Sequence, residues 1–206
     1  MKIYTYEGAP NPRRLAMFMK HKGIAIDTEL VDMMNAQQLS DEFLQINPDG
    51  TLPALVLDDG TVLSQVVGQC VYLEELYPEK PLLGTTALEK AQVISWCHKL
   101  SGGLSTAIAH VLRNRSGAFE NRALPGPQDL PQIPELVDRG LLQIRYMLPQ
   151  LNAHLADNSW VAGDNFSLAD IDLLTTIGFL RWIKEPIPED CTHLMQWLER
   201  AEAKVA

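Results

Sequence analysis

The sequence predicts two units in series: an α/β unit over residues 1–79 and an all-helical unit over 87–206, joined by a linker at 80–86. Three observations carry this reading. Strand-like alternation occurs only in the first part of the chain. A stretch containing Pro78, Pro81 and Gly84 then interrupts all periodicity. Beyond it, apolar residues recur only at helical spacing.

The elements follow in order. Residues 2–6 alternate and are rich in β-formers, giving a first strand. Pro12 suits the first turn of a helix, where its missing N–H is not needed. Leu15, Phe18 and Met19 then fall at i, i+3 and i+4, and Gly23 ends the helix. A second strand is expected over 25–31 and a short helix over 40–46. Segments 53–57 and 61–63 flank Asp58-Asp59-Gly60, a hairpin signal. A helix over 66–77 stops before Pro78. The order β-α-β-α-β-β-α describes a strand-helix-strand crossover followed by an antiparallel hairpin. After the linker, helices are expected over 87–115, 134–156, 168–184 and 190–204. Between the first two, the loop 116–134 carries Pro125, Gly126, Pro127, Pro131 and Pro134. Long irregular loops of this kind are often functional.

Composition narrows the functional classes. The chain has 206 residues, 46% hydrophobic and 21% charged, enough for a sizeable core. A net charge of −9 argues against a nucleic-acid partner, since no basic stripe is present to neutralise phosphates. Arg13-Arg14 and Arg113-Asn114-Arg115 are too short to supply one. No apolar run approaches the roughly 18 residues of a spanning helix, and the start MKIYTYEG has no signal-peptide architecture. No membrane association is expected. Cys70, Cys97 and Cys191 lie far apart, with neither CxxC nor metal-ligand spacing. They are read as inert packing residues of a metal-free protein in a reducing, cytoplasmic setting. Trp96, Trp160, Trp182 and Trp197 are read as core rather than as an aromatic substrate box.

Two local motifs stand out. In Phe166-Ser167-Leu168-Ala169-Asp170-Ile171, Ser167 suits a helix N-cap, and Asp170 at N3 can reach back to its N–H. Phe166 and Ile171 sit where a hydrophobic staple would be. The other motif is Asn47-Pro48-Asp49-Gly50-Thr51-Leu52-Pro53, a polar turn that ends in Leu-Pro at the start of a strand. Leu52-Pro53 is a candidate cis bond. A Leu52 backbone turned outward there can pair with a peptide-like ligand as an added strand would.

Taken together, PNPRRLAMFMKHKGI at the first helix, the Asn47-to-Leu55 turn, the YLEELYP helix end and FSLADI resemble the cytosolic glutathione transferase superfamily. The resemblance covers nearly the whole chain. PQIPEL and the C-terminal IPEDCTHLMQWLERAE look most like an atypical bacterial and fungal branch that lacks the usual catalytic Tyr or Ser. The resemblance implies a thioredoxin-like N-terminal domain that binds glutathione, and an all-helical C-terminal domain that contributes the pocket for an electrophile. It also implies a homodimer and a role in detoxification.

Glutathione chemistry requires that a thiol with a pKa of about 8.5 be held as thiolate at neutral pH. The family does this at the N-terminus of the first helix, with N–H groups, the helix dipole and a side-chain donor. Here the matching position is Ala9, which has no donor. Asn11, two residues on, can donate through its amide or can merely cap the helix before Pro12. Tyr6 and Thr5 remain alternatives for the donor. The γ-glutamyl anchor falls on Gln65 and Val66, and Val66 offers a carboxylate no hydroxyl, only a backbone N–H. Ser64 would serve only in a shifted register. By position, Gln38 goes to the glycyl end, and the Leu52 backbone, held by Pro53, to the cysteinyl part. His110 and Arg113, with Asn114 and Arg115 beside them, are candidates for the electrophile pocket.

Three functional readings follow. The first is a transferase that adds the glutathione thiolate to small apolar electrophiles, with Asn11 and the helix N-terminus stabilising the thiolate. The second is a non-catalytic binding module, suggested by Ala9 and Val66. The third is a glutathione-dependent disulfide reductase.

Overall fold

The computed structural model describes residues 1–205, which fall into two compact units. The first is Met1–Lys80 together with Leu124–Gln128; the second is Pro81–Ala123 and the chain from Asp129 on. The short segment Leu124–Gln128 thus belongs structurally to the first unit, although it lies in sequence among the helices.

The first unit holds a four-stranded sheet in the order β2-β1-β3-β4. Strand β1 (Lys2–Thr5) runs parallel to β2 (Asp27–Leu30), with helix α1 (Pro10–Lys22) as the crossover between them. Strand β3 (Ala54–Val56) is antiparallel to both β1 and β4 (Val62–Leu63). Helices α2 (Asp41–Ile46) and α3 (Val66–Leu76) complete the unit. Ile3 pairs with Leu55 and Tyr4 with Ala54, so alternate residues supply the two faces of the sheet. Ile3 and Leu55 are buried, as are Leu15 and Phe18 of α1 and Leu73 of α3. On the other face Val31, Phe43, Leu52 and Ala54 form a second cluster, with Tyr4 and Tyr6 packed against it.

Helix α1 begins at Pro10, not Pro12, with Ala9 as an extended N-cap that makes no side-chain bond. Pro10 and Pro12 therefore occupy the first and third helical positions, where an N–H has no helical acceptor in any case. Gly23, at φ 73°, closes the helix in the left-handed conformation that glycine adopts without penalty. In the last turn Lys22 is buried. Its ammonium meets Glu74 of α3 at 2.7 Å and the carbonyls of Glu79 at 2.9 Å and Lys80 at 3.3 Å. This charge ties α1 to α3 and to the chain leaving the unit.

The second unit is helical: α4 (Ala87–Leu100), α5 (Thr106–Arg115), α6 (Glu135–Asp157), α7 (Leu168–Ile183) and α8 (Thr192–Val205). The single helix expected over 87–115 is instead interrupted by a π turn at Ser101–Ser105. Gly102 and Gly103 weaken the α-helical preference there. A Cβ on Gly103 would come within 2.7 Å of Met147 Cε, so the widened turn lies close against α6. A reciprocal capping box starts α4. Glu89 Oε2 accepts from the N–H of Thr85 at 2.7 Å and of Thr86 at 3.0 Å, while Thr86 Oγ1 accepts from Glu89 N–H. These bonds hold the Glu89 carboxyl down at about 2.

Helix α7 is buried along most of its length. Asp170 at its third position accepts four bonds: from Val161 N–H at 2.9 Å, Ser167 N–H and Oγ at 3.0 Å each, and Trp197 Nε1 of α8 at 2.9 Å. The expected reach of Asp170 back to the N-cap is therefore present, and the same carboxylate also fastens α8. The Phe166 ring packs edge-on against Trp160 at 5.1 Å.

Candidate functional site

Asn47 is the organising residue of the turn that ends in Leu52-Pro53. It is buried to 1% exposure, its Nδ2 donates to Thr51 O at 2.8 Å, and its Oδ1 accepts from Asp49 N–H at 3.2 Å. Gly50 N–H returns to Asn47 O at 2.9 Å, and Gly50 adopts φ 58°, a region that suits glycine. The Leu52-Pro53 bond is cis. The Leu52 side chain is buried in the second cluster, which anchors the residue whose backbone is the expected ligand contact.

Gln65 and Val66 stand beside this turn at the start of α3. Gln65 is the extended N-cap, exposed and without a side-chain capping bond, and Val66 is the first helical residue, buried. The helix opens here with backbone N–H groups, as an anion-binding end requires. The Ser64 hydroxyl donates to Asp49 Oδ2 at 2.9 Å. Gln38 lies in a short 3₁₀ turn, Gln37–Leu39, an element with no periodic signal in the sequence. It is buried, so it is not a solvated loop residue, and its Oε1 has no hydrogen-bond partner.

Asn11 sits at the second position of α1, exposed, and its Oδ1 accepts from Arg14 Nη1 at 3.1 Å. It does not cap the helix; Ala9 occupies that place because the helix starts two residues earlier than Pro12 suggested. The bond to Arg14 turns the oxygen inward along the helix and leaves Nδ2 as the donor end. With Pro10 at the first position and Pro12 at the third, Asn11 also carries the single N–H of the first three helical residues. Tyr6 lies beyond the end of β1 and packs with Tyr4 on the second cluster; a Cβ on Gly8 would strike its ring at 2.7 Å. Tyr6 itself is half-buried. Thr5 is the last residue of β1, in register with Leu30.

Two further contacts were not foreseen from the sequence. Gln69, fully buried on α3, donates from Nε2 to Pro53 O at 2.8 Å and to Leu63 O at 2.7 Å. Gly126, at φ 110°, would bring a Cβ to 3.3 Å from Asp49 O, so the segment 124–128 lies against the same turn. No periodicity signals either; both contacts join residues distant in sequence.

In the helical unit, His110 and Arg113 lie on α5. His110 Nδ1 is buried without a partner, and burial together with the Arg139 charge holds its imidazole below the usual histidine range. Arg113 Nη1 donates to Arg122 O at 2.8 Å, and its guanidinium covers the Phe119 ring at 4.7 Å. Gln132 Nε2 donates to Arg113 O at 2.6 Å, and Asn114 Oδ1 accepts from Ile133 N–H at 2.8 Å. Arg113 and Asn114 thus hold Arg122, Gln132 and Ile133 at the end of α5. Cys70, Cys97 and Cys191 are buried and none is in a disulfide. Among the described residues there is no group of three or more His, Cys, Asp or Glu that could hold a metal, and no helix long and apolar enough to cross a membrane.

Residues 9–76 match the family model for the glutathione S-transferase N-terminal domain, and residues 117–204 match that for the C-terminal domain. The chain belongs to the glutathione S-transferase family. A glutathione S-transferase domain-containing protein of Marinobacter aquaeolei superposes with a TM-score of 0.91 at 29% identity, covering all of both chains. Glutathione S-transferase 2 of Saccharomyces cerevisiae is 26% identical over 209 residues, covering 99% of this chain and 86% of the yeast protein. A maleylacetoacetate isomerase of Pseudomonas aeruginosa is 28% identical over 176 residues, covering 84% of this chain and 78% of its own. The family assignment fits the geometry: a thioredoxin-like unit with a cis-proline turn and an open helix N-terminus, followed by helices.

Proposed function

We propose that this family member binds glutathione at its first unit and transfers the thiolate to small apolar electrophiles. The observation that carries the reading is the pairing of the Leu52-Pro53 turn with the open N-terminus of α3 at Gln65–Val66. The Leu52 backbone would pair with the cysteinyl part of the tripeptide, and Gln65 Oε1 would accept from its α-amino group. The Val66 N–H would face its α-carboxylate, and Gln38 would face the glycyl end. The thiolate would take the Asn11 N–H and Nδ2 as donors, aided by the α1 dipole. No protein group forms a covalent bond with substrate in this scheme: the sulfur lone pair forms the new C–S bond, and the leaving group or an added proton balances the charge. His110, neutral at physiological pH, and Arg113 are assigned to the electrophile side. The protein would act as a cytoplasmic homodimer.

A second reading rests on one observation. Val66 provides no hydroxyl and Ser64 is committed to Asp49, so the carboxylate anchor is thin. That favours a binding module that kept the fold. A disulfide reductase is separated by activity toward a mixed disulfide without activity toward electrophiles.

The test is calorimetric titration with reduced glutathione, wild type beside Val66→Ser. Binding by wild type, tightened about ten- to a hundredfold by the restored hydroxyl, is the expected result. Wild type without binding, rescued in the variant, would overturn the transferase reading in favour of the binding module.

A further inference from the structure

Gln69 is an expensive residue for its place. An amide buried at 0% exposure costs free energy unless it is bonded, and an apolar side chain of similar size would avoid that cost. Here its Nε2 lies 2.8 Å from Pro53 O and 2.7 Å from Leu63 O. The chemistry fixes which end of the amide faces them, since an oxygen there would confront two acceptors. The two carbonyls lie at the open end of the β3–β4 hairpin. The last cross-strand pair is Leu55–Leu63, and Pro53 lies beyond it with no N–H to continue the ladder. Leu63 ends β4 and leads through Ser64 to the N-cap Gln65. One NH₂ group therefore joins three pieces of chain: the residue after Leu52, the strand end feeding Gln65 and Val66, and α3 itself.

We propose that Gln69 is a positioning residue that fixes the spacing between the Leu52-Pro53 backbone and the Gln65–Val66 helix start, and thereby sets affinity for glutathione. The proposal rests on the glutathione reading above. A tripeptide held at its middle by an extended backbone and at one end by a helix N-terminus needs both supports at a constant separation. Gln69 supplies that separation from behind, without touching the ligand.

The test compares wild type, Gln69→Met and Leu73→Val by glutathione titration and steady-state kinetics, at a temperature where circular dichroism shows all three folded. Methionine matches the length of glutamine but donates nothing. Leu73 is fully buried one turn further along the same helix and makes neither bond. The expected result is that Gln69→Met loses about tenfold in affinity, with KM for glutathione raised by the same factor and kcat at saturation kept. Leu73→Val is expected to lose stability but keep affinity. Wild-type affinity in Gln69→Met would overturn the proposal while leaving the glutathione reading intact. An equal loss in Leu73→Val would also overturn it, because general loosening of α3 would then account for both. Absence of glutathione binding in wild type would overturn the reading and this proposal with it.

Discussion

Replacing Asp170 by alanine should be the most damaging single change in the helical unit. The carboxylate accepts four bonds within 3.0 Å, and three of the donors cannot find another role: Val161 N–H, Ser167 N–H and the Trp197 indole N–H. Val161, Ser167 and Trp197 are all buried, so the alanine variant leaves each donor unsatisfied at about 1–3 kcal/mol apiece. Part of that loss is returned. Burial pushes the Asp170 carboxyl upward against the pull of its donors, which means the native state bears a cost for the charge that alanine removes. The net loss is expected to be about 3–5 kcal/mol. For a chain of this length that lowers Tm by roughly 6–20 °C. Asp170→Asn keeps one acceptor oxygen but turns an NH₂ toward two donors, and should cost less, about 1–3 kcal/mol. Urea unfolding followed by far-ultraviolet circular dichroism and tryptophan emission measures both, with Trp197 as a local reporter. An alanine variant within about 1 kcal/mol of wild type would refute the reasoning, as would an asparagine variant less stable than the alanine one.

Lys22→Met should cost about 3–5 kcal/mol, because it removes the buried partner of Glu74 and the donor to two carbonyls; a urea midpoint unchanged from wild type would count against this. Asn11→Ala should lower kcat/KM for glutathione conjugation roughly ten- to a hundredfold through loss of a donor to the thiolate, and unchanged turnover would remove Asn11 from that role. His110 gives a pH signature. Its folded-state pKa is depressed by burial and by Arg139, so the unfolded chain takes up a proton first. Its contribution to stability is complete above about pH 6.5 and is lost as pH falls through the folded-state value. Unfolding midpoints measured across the acid side of neutrality should therefore fall less steeply in His110→Gln than in wild type; parallel curves would exclude His110 as the cause.

Much of the fold was legible because it depends on local chemistry. Alternation marked β1, apolar spacing and Gly23 marked α1, and Asp58-Asp59-Gly60 marked the β3–β4 hairpin. The Thr86-Ala-Leu-Glu89 capping box was equally local, a T-x-x-E signature at the start of α4, and was available to the same reading. The start of α1 was displaced by two residues because both Pro10 and Pro12 satisfy the rule for a helix's first turn, and sequence rules do not rank them. The π turn at Ser101–Ser105 was missed for a different reason. Gly102-Gly103 permits it, but the widened turn lies against Met147 of another helix.

The candidate site divides along the same line. The sequence by itself determined the local parts of the candidate site: the Asn47–Pro53 turn, the start of α3 at Gln65–Val66, and the lack of a hydroxyl at Ala9 and Val66. Each depends on residues within a few positions of one another, where covalent geometry limits the choices. Only the tertiary structure decided what those parts rest on. It joined the Ser64 hydroxyl to Asp49, packed the half-buried Tyr6 against the second cluster, buried Gln38, and brought Gln69 beneath Pro53 and Leu63. These outcomes depend on which donor meets which acceptor across the folded chain. A buried polar group must find its partner wherever folding places one, and no local pattern encodes that meeting.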